Sequence, residues 1–147
     1  MSKTERPSFE TTLHIRDHCL CLATQRAARA LARRFDEALR PVGLTSGQFS
    51  LLISLNRAEP PTISSVASLL AMDRTTLTAN LKPLERRGLV EIATDPKDRR
   101  SRLLKLTAEG LDVLSRAVPI WRESHAAVEK PVADQLDQLK AGLRALG

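Results

Sequence analysis

The sequence predicts a mainly helical protein with one small β-hairpin, folded as a single compact domain. Apolar residues recur at steps of three and four over most of the 147-residue chain, which is the period of an α-helix. Leucine and alanine supply most of these positions, because the chain has three Phe, one Trp and no Tyr, and both residues favour helix. Residues 89–106 read instead as two short strands around a turn.

The first predicted helix is long and runs from Asp17, as its N-cap, to Arg40. Pro41 and Gly43 follow it and are typical of a helix end. One face of this helix is apolar, and the other face carries arginines at Arg26, Arg29, Arg33 and Arg40.

Three shorter helices are predicted next, each preceded by a residue whose side chain can cap it. The caps are Thr45 or Ser46, Thr62 and Asp73, and the helices end near Leu55, Leu70 and Arg87. The second and third of these helices are joined by so few residues that the pair has the spacing of a helix-turn-helix. Pro83 lies inside the third helix and should bend it, which departs from the pattern.

Residues 89–93 and 102–106 are predicted as the strands of the hairpin, with the charged residues 94–101 as the loop between them. Thr107 then caps another long helix. The last helix is predicted to start near Pro131 and carries a heptad-like apolar seam. That seam consists of Val132, Leu136, Leu139, Leu143 and Leu146.

The positive charge is concentrated in one part of the chain. The formal net charge is +6, and residues 74–106 alone carry nine basic and four acidic side chains. A local excess of this kind favours a polyanionic partner such as nucleic acid, although a solvated arginine-rich face would give the same pattern. No apolar run is long enough to span a bilayer, so we expect a cytoplasmic protein without a membrane partner.

Motifs for catalysis or cofactor binding are not found. The chain has no glycine-rich phosphate loop, no His-Glu-x-x-His pair and no nucleophile elbow, so neither an enzyme nor a cofactor is predicted. Cys19 and Cys21 point to opposite sides of a helix and cannot easily form an internal disulfide. His14, His18 and Cys21 could share one helical face as a zinc site, but unliganded histidines are favoured because no fourth ligand is nearby.

The helix that follows Asp73 is predicted to enter the DNA major groove, whose width matches an α-helix. The side chains predicted to contact DNA from its exposed face are Arg74, Thr75, Thr76, Thr78 and Lys82. Arg74 suits the bidentate recognition of guanine, and Lys82 is better placed for a phosphate. The hairpin tip is predicted to add contacts to the DNA backbone or minor groove through Lys97, Arg99, Arg100 and Arg102. Asp98 is expected to hold Arg100 in an extended pose.

Five segments resemble the MarR family of winged helix-turn-helix regulators. They are Gly43-Leu-Thr-Ser-Gly-Gln-Phe49, then Met72-Asp-Arg-Thr-Thr-Leu-Thr78 with Leu84-Glu-Arg-Arg-Gly-Leu-Val90, and the hairpin segment Asp95-Pro-Lys-Asp-Arg-Arg100 leading into Lys105-Leu-Thr107. The resemblance covers essentially the whole chain. It implies that Asp98 and Arg100 match the family's wing Asp-x-Arg, in which the arginine enters the minor groove.

The same resemblance implies a domain organisation and a partner. The whole chain, 1–147, would be one domain with a DNA-binding core at 44–107, flanked by dimerisation helices at 1–40 and 108–147. It would form an obligate homodimer that binds a short inverted repeat of double-stranded DNA and usually blocks transcription.

The family also implies a signal, which is either a small anionic aromatic compound or an oxidant sensed by cysteine. The first kind would bind between the dimerisation helices and the winged core, with Arg26, Arg29 or His125 as carboxylate partners. Cys21 lies eight residues before Arg29, and this position and spacing resemble those of the reactive cysteine in the organic-peroxide-sensing branch of the family. Cys19 is the second candidate thiol. The positive end of a helix dipole favours an oxidisable thiolate, whereas a buried, inert thiol is the simpler alternative.

Three interpretations of function therefore stand. The preferred one is a sequence-specific homodimeric repressor released from a palindromic operator by a small effector. The second is a thiol-based peroxide-sensing repressor. The third, from another class, is an architectural protein that binds DNA without sequence preference.

Overall fold

The structure is a computed structural model that describes residues 4–147. Within that range the chain forms seven α-helices and one β-hairpin, in the order α1, α2, α3, α4, α5, β1, β2, α6, α7. Their bounds are α1 Phe9–His18, α2 Leu20–Leu39, α3 Ser46–Leu55, α4 Ile63–Leu69, α5 Arg74–Arg86, β1 Val90–Asp95, β2 Asp98–Leu106, α6 Ala108–Glu129 and α7 Leu136–Leu146. The mainly helical fold with a small hairpin is confirmed.

The hydrophobic core lies between α3, α4, α5, the hairpin and the first half of α6. Leucine dominates it, as the scarcity of aromatic residues predicted. The most deeply buried side chains are Leu39, Leu51, Leu52, Val66, Leu77, Leu81, Leu84, Val90 and Leu104. Three of them lie on the inner face of α5, so the opposite face of that helix is directed outward.

The predicted caps position α3, α4 and α5. Thr45 and Gln48 form a reciprocal capping box at α3, and Thr62 accepts a hydrogen bond from Ser65 at α4. The tight connection into α5 is made by Ala71, which has a left-handed φ of 51°. Pro83 is accommodated inside α5.

The hairpin is longer than predicted, because both strands extend into residues 94–101. Backbone pairing continues from Val90 and Leu106 at the base to Asp95 and Asp98 at the tip, with a bulge after Thr94. Strand pairing uses backbone N–H and C=O groups, so residues with exposed charged side chains can take part in it. The cluster of charged residues therefore does not form the predicted loop.

Two contacts attach the base of the hairpin to the core. Leu104 donates its backbone amide to Pro61 O at 2.9 Å. The Thr107 hydroxyl donates to Gly88 O at 2.6 Å and accepts from the Gly110 amide at 3.0 Å. The strands therefore leave the core in a fixed direction.

The first predicted helix is wrong in its extent. It corresponds to α2, which begins only at Leu20, and an additional helix, α1, precedes it and is separated from it at Cys19, whose backbone is extended. Asp17 is not an N-cap but lies inside α1, where it pairs with Arg16 at 2.7 Å. Ser8 caps α1 instead, because its side chain accepts the Thr11 amide. The apolar pattern from which this helix was predicted begins at Leu20 and does not extend into α1, so it did not reveal the preceding helix.

The predicted start of the last helix is also wrong. Residues Lys130–Gln135 form a 3₁₀ segment in which Val132 has non-helical angles, and α7 begins at Leu136. Pro131 lies in the first turn of this 3₁₀ segment. The proline therefore indicated the start of a helical segment, but that segment is a 3₁₀-helix and not an α-helix.

Large apolar side chains remain exposed at the two ends of the chain. Phe9 is 76% exposed, Leu20 68% and Leu146 63%, and Leu139 and Leu143 on the α7 seam are exposed as well. None of the helices among residues 4–147 combines the length and the apolar character needed to cross a membrane.

Candidate nucleic-acid interface

The start of α5 is fixed by Asp73. One carboxylate oxygen of Asp73 accepts the Thr76 amide at 2.8 Å and the other accepts the Thr76 hydroxyl at 2.7 Å. The bond from the Thr76 hydroxyl, followed by that from the amide, holds the pKa of Asp73 below its ordinary value of 3.8. The ionised carboxylate therefore caps the helix and defines the direction of its first turn.

The outer face of α5 forms a surface groove of about 340 Å³, which we call the recognition groove. It is lined by Arg74, Thr75, Thr78, Ala79 and Lys82. Four of the five predicted DNA contacts from this helix thus lie together. Thr76 is not among the lining residues; its hydroxyl donates to Asp73 at 2.7 Å, so this side chain also takes part in capping the helix.

At the tip of the hairpin, carboxylates order the backbone. Asp95 accepts the Lys97 amide at 2.9 Å, and Asp98 accepts the Arg100 amide at 3.0 Å. Asp98 contacts Arg100 only through the backbone amide, so this bond does not hold the Arg100 guanidinium, and the extended pose of that side chain stays a prediction. Lys97, Arg99 and Arg100 are exposed.

Arg102 differs from the other predicted wing contacts. Its guanidinium Nη1 donates to the carbonyls of Arg99 at 3.2 Å and Ser101 at 3.3 Å. The side chain therefore braces the strand that carries it, and in this position it is not extended toward a partner.

The predicted effector residues fall into two separate places. Arg26 and Arg29 line a cavity of about 700 Å³ in the bend between α1 and α2, which we call the elbow cavity; Arg16 and Arg33 line it too. His125 lies elsewhere on α6, with its ring 4.6 Å from that of Trp121 and its Nδ1 3.2 Å from a Glu129 oxygen. The three residues do not form one carboxylate site.

A second cavity, of about 730 Å³, lies between α6 and the helices within residues 44–107, where the resemblance implied an effector site, although none of its lining residues was predicted for this role; we call it the Trp121 cavity. Elements α3, α4 and α6 and the turn after α3 line it, chiefly through Phe49, Ile53, Leu69, Leu70, Val118 and Trp121. Two guanidinium groups, from Arg57 and Arg122, also line it. The signal in the sequence was the only Trp of the chain. The structure adds Leu69, which is 61% exposed although it lies in a helix of the core.

The cysteines are both free. The Cys19 sulfur accepts the Leu22 amide at 3.5 Å and so caps α2, whereas Cys21 is exposed and its sulfur accepts from Gln25 Nε2 at 3.3 Å. Within residues 4–147, no group of three His, Cys, Asp or Glu side chains is arranged to hold a metal ion.

Comparisons with known proteins agree with this fold. A model of the MarR family matches residues 44–101. The M. tuberculosis transcriptional regulator MosR, solved in complex with DNA, is 38% identical and has a TM-score of 0.73, with 88% of this chain and 98% of that chain covered. In Bacillus subtilis (strain 168), an organic hydroperoxide resistance transcriptional regulator is 29% identical over 127 residues, which cover 86% of each protein.

The transcriptional repressor CouR is also similar. Its structure on a 23-mer DNA duplex is 30% identical, covers 97% of this chain and 99% of that chain, and has a TM-score of 0.77. A CouR structure bound to p-coumaroyl-CoA is 27% identical, covers 90% and 94% of the two chains, and has a TM-score of 0.79. Together with the capped helix pair and the hairpin, these similarities show that the chain belongs to the MarR family of winged-helix transcriptional regulators.

Proposed function

We propose that this protein is a sequence-specific DNA-binding regulator that acts as a homodimer on an inverted repeat. The observation that carries the proposal is the recognition groove, in which two cationic and two hydroxyl side chains share the outer face of a helix anchored by leucines on its inner face. The DNA-bound structures of MosR and CouR support it. The protein would act by binding DNA and not by catalysis.

Each group of contacts has its own role in this proposal. Arg74 reads a guanine edge, Thr75 and Thr78 contact neighbouring bases, and Lys82 binds a phosphate. Arg99, Arg100 and Lys97 at the hairpin tip bind the backbone or the minor groove, where sequence-dependent groove width adds specificity. We place these contacts in a DNA-binding core at 44–107.

The homodimer is supported by the apolar faces that a single chain leaves exposed on α1, α2 and α7. Soluble proteins rarely leave such faces open to water, and a two-fold partner would cover them. We therefore assign 1–40 and 108–147 to dimerisation, of which residues 1–3 lie outside the described residues. A two-fold dimer would present its two α5 helices to successive major grooves, about 34 Å apart.

We further propose that the dimer represses transcription and that an anionic aromatic compound releases it. The Trp121 cavity is the better place for such an effector, since its apolar walls suit a ring and Arg57 and Arg122 suit a carboxylate. The Arg57 Nε donates to Ser54 O at 3.1 Å, which orients the guanidinium. Leu69 and Leu70 line the cavity and directly precede Ala71, the turn that leads into α5. A ligand in the cavity would therefore shift the start of α5.

The placement of the effector is testable because Trp121 is the only tryptophan. Titration with 3-phenylpropanoate should change its fluorescence saturably and release DNA, and the neutral amide of the same acid should bind about tenfold more weakly. Arg57→Gln with Arg122→Gln should abolish both effects, whereas Arg26→Gln with Arg29→Gln should keep them. The opposite pattern would move the effector to the elbow cavity.

The DNA-binding proposal is tested by footprinting the purified protein on DNA upstream of neighbouring genes. One protected inverted repeat that survives excess competitor DNA supports a specific regulator. Uniform protection that competitor DNA removes would instead favour the architectural alternative.

A thiol-based peroxide sensor is the second candidate, favoured by the exposed Cys21 and by the similarity to the Bacillus subtilis regulator. An organic hydroperoxide would oxidise the Cys21 thiol to a sulfenic acid and leave as the alcohol. Cys21→Ser should then prevent release of DNA by cumene hydroperoxide, and Cys19→Ser should not. Equal release from both variants and the unchanged protein would exclude this sensor.

A further inference from the structure

Two cavities of the core meet at the connection between α3 and α4, residues 56–62. One is the Trp121 cavity. The other, of about 160 Å³, lies between this connection, β2 and the start of α6, and we call it the hairpin pocket. Asn56 and Arg57 line both cavities, and in the hairpin pocket they share the wall with Leu104 and Lys105 of β2. A shift of either shared residue therefore changes both cavities at once.

Arg57 is attached to the end of α3. Its Nε donates to Ser54 O at 3.1 Å. Ser54 is only 5% exposed, and its own hydroxyl donates to Leu51 O at 2.6 Å. The bond to Ser54 occupies Nε and leaves the two Nη groups of the guanidinium able to bind an anion in the Trp121 cavity.

The other end of the connection is paired with the hairpin. Pro61 O accepts the Leu104 amide at 2.9 Å, and Thr62 forms a β-bridge with Leu103. Pro60 and Pro61 come directly before this pairing. Because proline fixes φ at about −65°, two prolines in succession leave the connection little freedom to absorb a shift that begins at its start.

We propose that Arg57 is a positioning residue that transmits occupation of the Trp121 cavity to the hairpin. The proposal rests on the effector site proposed above. A carboxylate in that cavity attracts the guanidinium and draws it away from the hairpin pocket, which weakens the support of the Leu104 amide and its bond to Pro61. The charged hairpin tip then loses its fixed direction. The effector would thus act on the hairpin as well as on the start of α5.

Amide hydrogen exchange of the full chain, without effector or DNA, tests the link itself. Arg57→Gln leaves a shorter, neutral side chain, so exchange at residues 103–106 should become faster by about threefold or more. Arg122→Gln is the matched control, because Arg122 lines the Trp121 cavity and not the hairpin pocket, and it should leave exchange at residues 103–106 unchanged. Equal exchange in the two variants would overturn the proposal. Faster exchange along the whole chain of Arg57→Gln would show a general loss of stability and would also contradict it.

The response to 3-phenylpropanoate separates transmission from binding. Arg57→Lys keeps the cation but lacks the Nε that binds Ser54 O, so Trp121 fluorescence should report an affinity within about threefold of the unchanged protein. Saturation should speed exchange at residues 103–106 in the unchanged protein and in Arg122→Lys, but not in Arg57→Lys. An equal response in Arg57→Lys would contradict the positioning role.

Failure of the effector site has a different signature. If the unchanged protein does not bind 3-phenylpropanoate, the proposed effector is wrong. The link through Arg57 is then decided by the exchange of Arg57→Gln against Arg122→Gln, which needs no ligand.

Discussion

The guanidinium of Arg87 donates a hydrogen bond from Nη1 to the carbonyl oxygen of Gly43 at 2.8 Å. Arg87 is the C-cap residue of α5, and Gly43 ends the short 3₁₀ turn after α2 with a left-handed φ of 71°. The end of α5 is thereby attached to the connection between α2 and α3. Ser46 at the start of α3 is in turn bound to Asp36 of α2 at 2.6 Å.

Arg87→Gln should loosen this attachment without unfolding the protein. We expect a stability loss of about 1 kcal/mol, because one exposed hydrogen bond to a charged group is removed, and a thermal midpoint lower by about 3 °C. A stability loss of this size leaves nearly all of the protein folded, yet DNA affinity should still fall, because α5 is no longer held in its orientation. Arg86→Gln is the control, and an equal loss of affinity there would contradict the positioning role.

Gly110→Ala should destabilise the base of the hairpin. A Cβ at this position would clash with the Leu89 carbonyl oxygen, so the start of α6 and the residue before β1 would have to move apart. We expect a loss of about 1 to 3 kcal/mol in chemical denaturation.

Gly142→Ala in α7 provides the comparison, because nothing lies within 4 Å of a Cβ there. It should stabilise the protein by up to about 1 kcal/mol through helix propensity. Equal destabilisation by both variants would contradict the close approach at Gly110.

Asp73 should make part of the stability depend on pH. Its pKa is lowered in the folded state by the bonds from Thr76, so its ionised form stabilises the fold above the ordinary value of 3.8. That contribution should be lost as the pH falls through the lowered pKa. Thermal unfolding of the protein and of Asp73→Asn between about pH 2 and pH 6 should show a difference that shrinks in acid. A constant difference would contradict this origin.

Arg100→Ala should weaken DNA binding and lower its salt dependence, by a slope of about one for each phosphate that the guanidinium no longer neutralises. Its guanidinium is exposed at the ordered hairpin tip. Arg102→Ala removes the same charge from a side chain bonded to its own strand, and should have the smaller effect. Gel-shift titrations at several salt concentrations distinguish the two, and equal slopes would contradict the difference in position.

Local side-chain chemistry made much of the fold predictable. Thr45, Thr62, Asp73 and Thr107 cap helices as expected, because the cap and the amide it accepts are close in sequence. The grouping of Arg74, Thr75, Thr78 and Lys82 followed from helical spacing alone.

The sequence pattern could not predict features that depend on how the helices are placed relative to one another. The helix α1 has little apolar periodicity, so the pattern did not show it, and the Trp121 cavity joins residues from three helices. The sequence also could not distinguish Thr76, whose hydroxyl is bonded to the cap, from Thr75 beside it.

Selection of binding sites from a random pool of duplex DNA is the most direct test of a sequence-reading dimer. We expect the protein to enrich one inverted repeat whose half-sites are about 10 base pairs apart. Arg74→Ala should relax the preference at one base of each half-site. Recovery of unselected sequence, or of single half-sites without symmetry, would contradict the account.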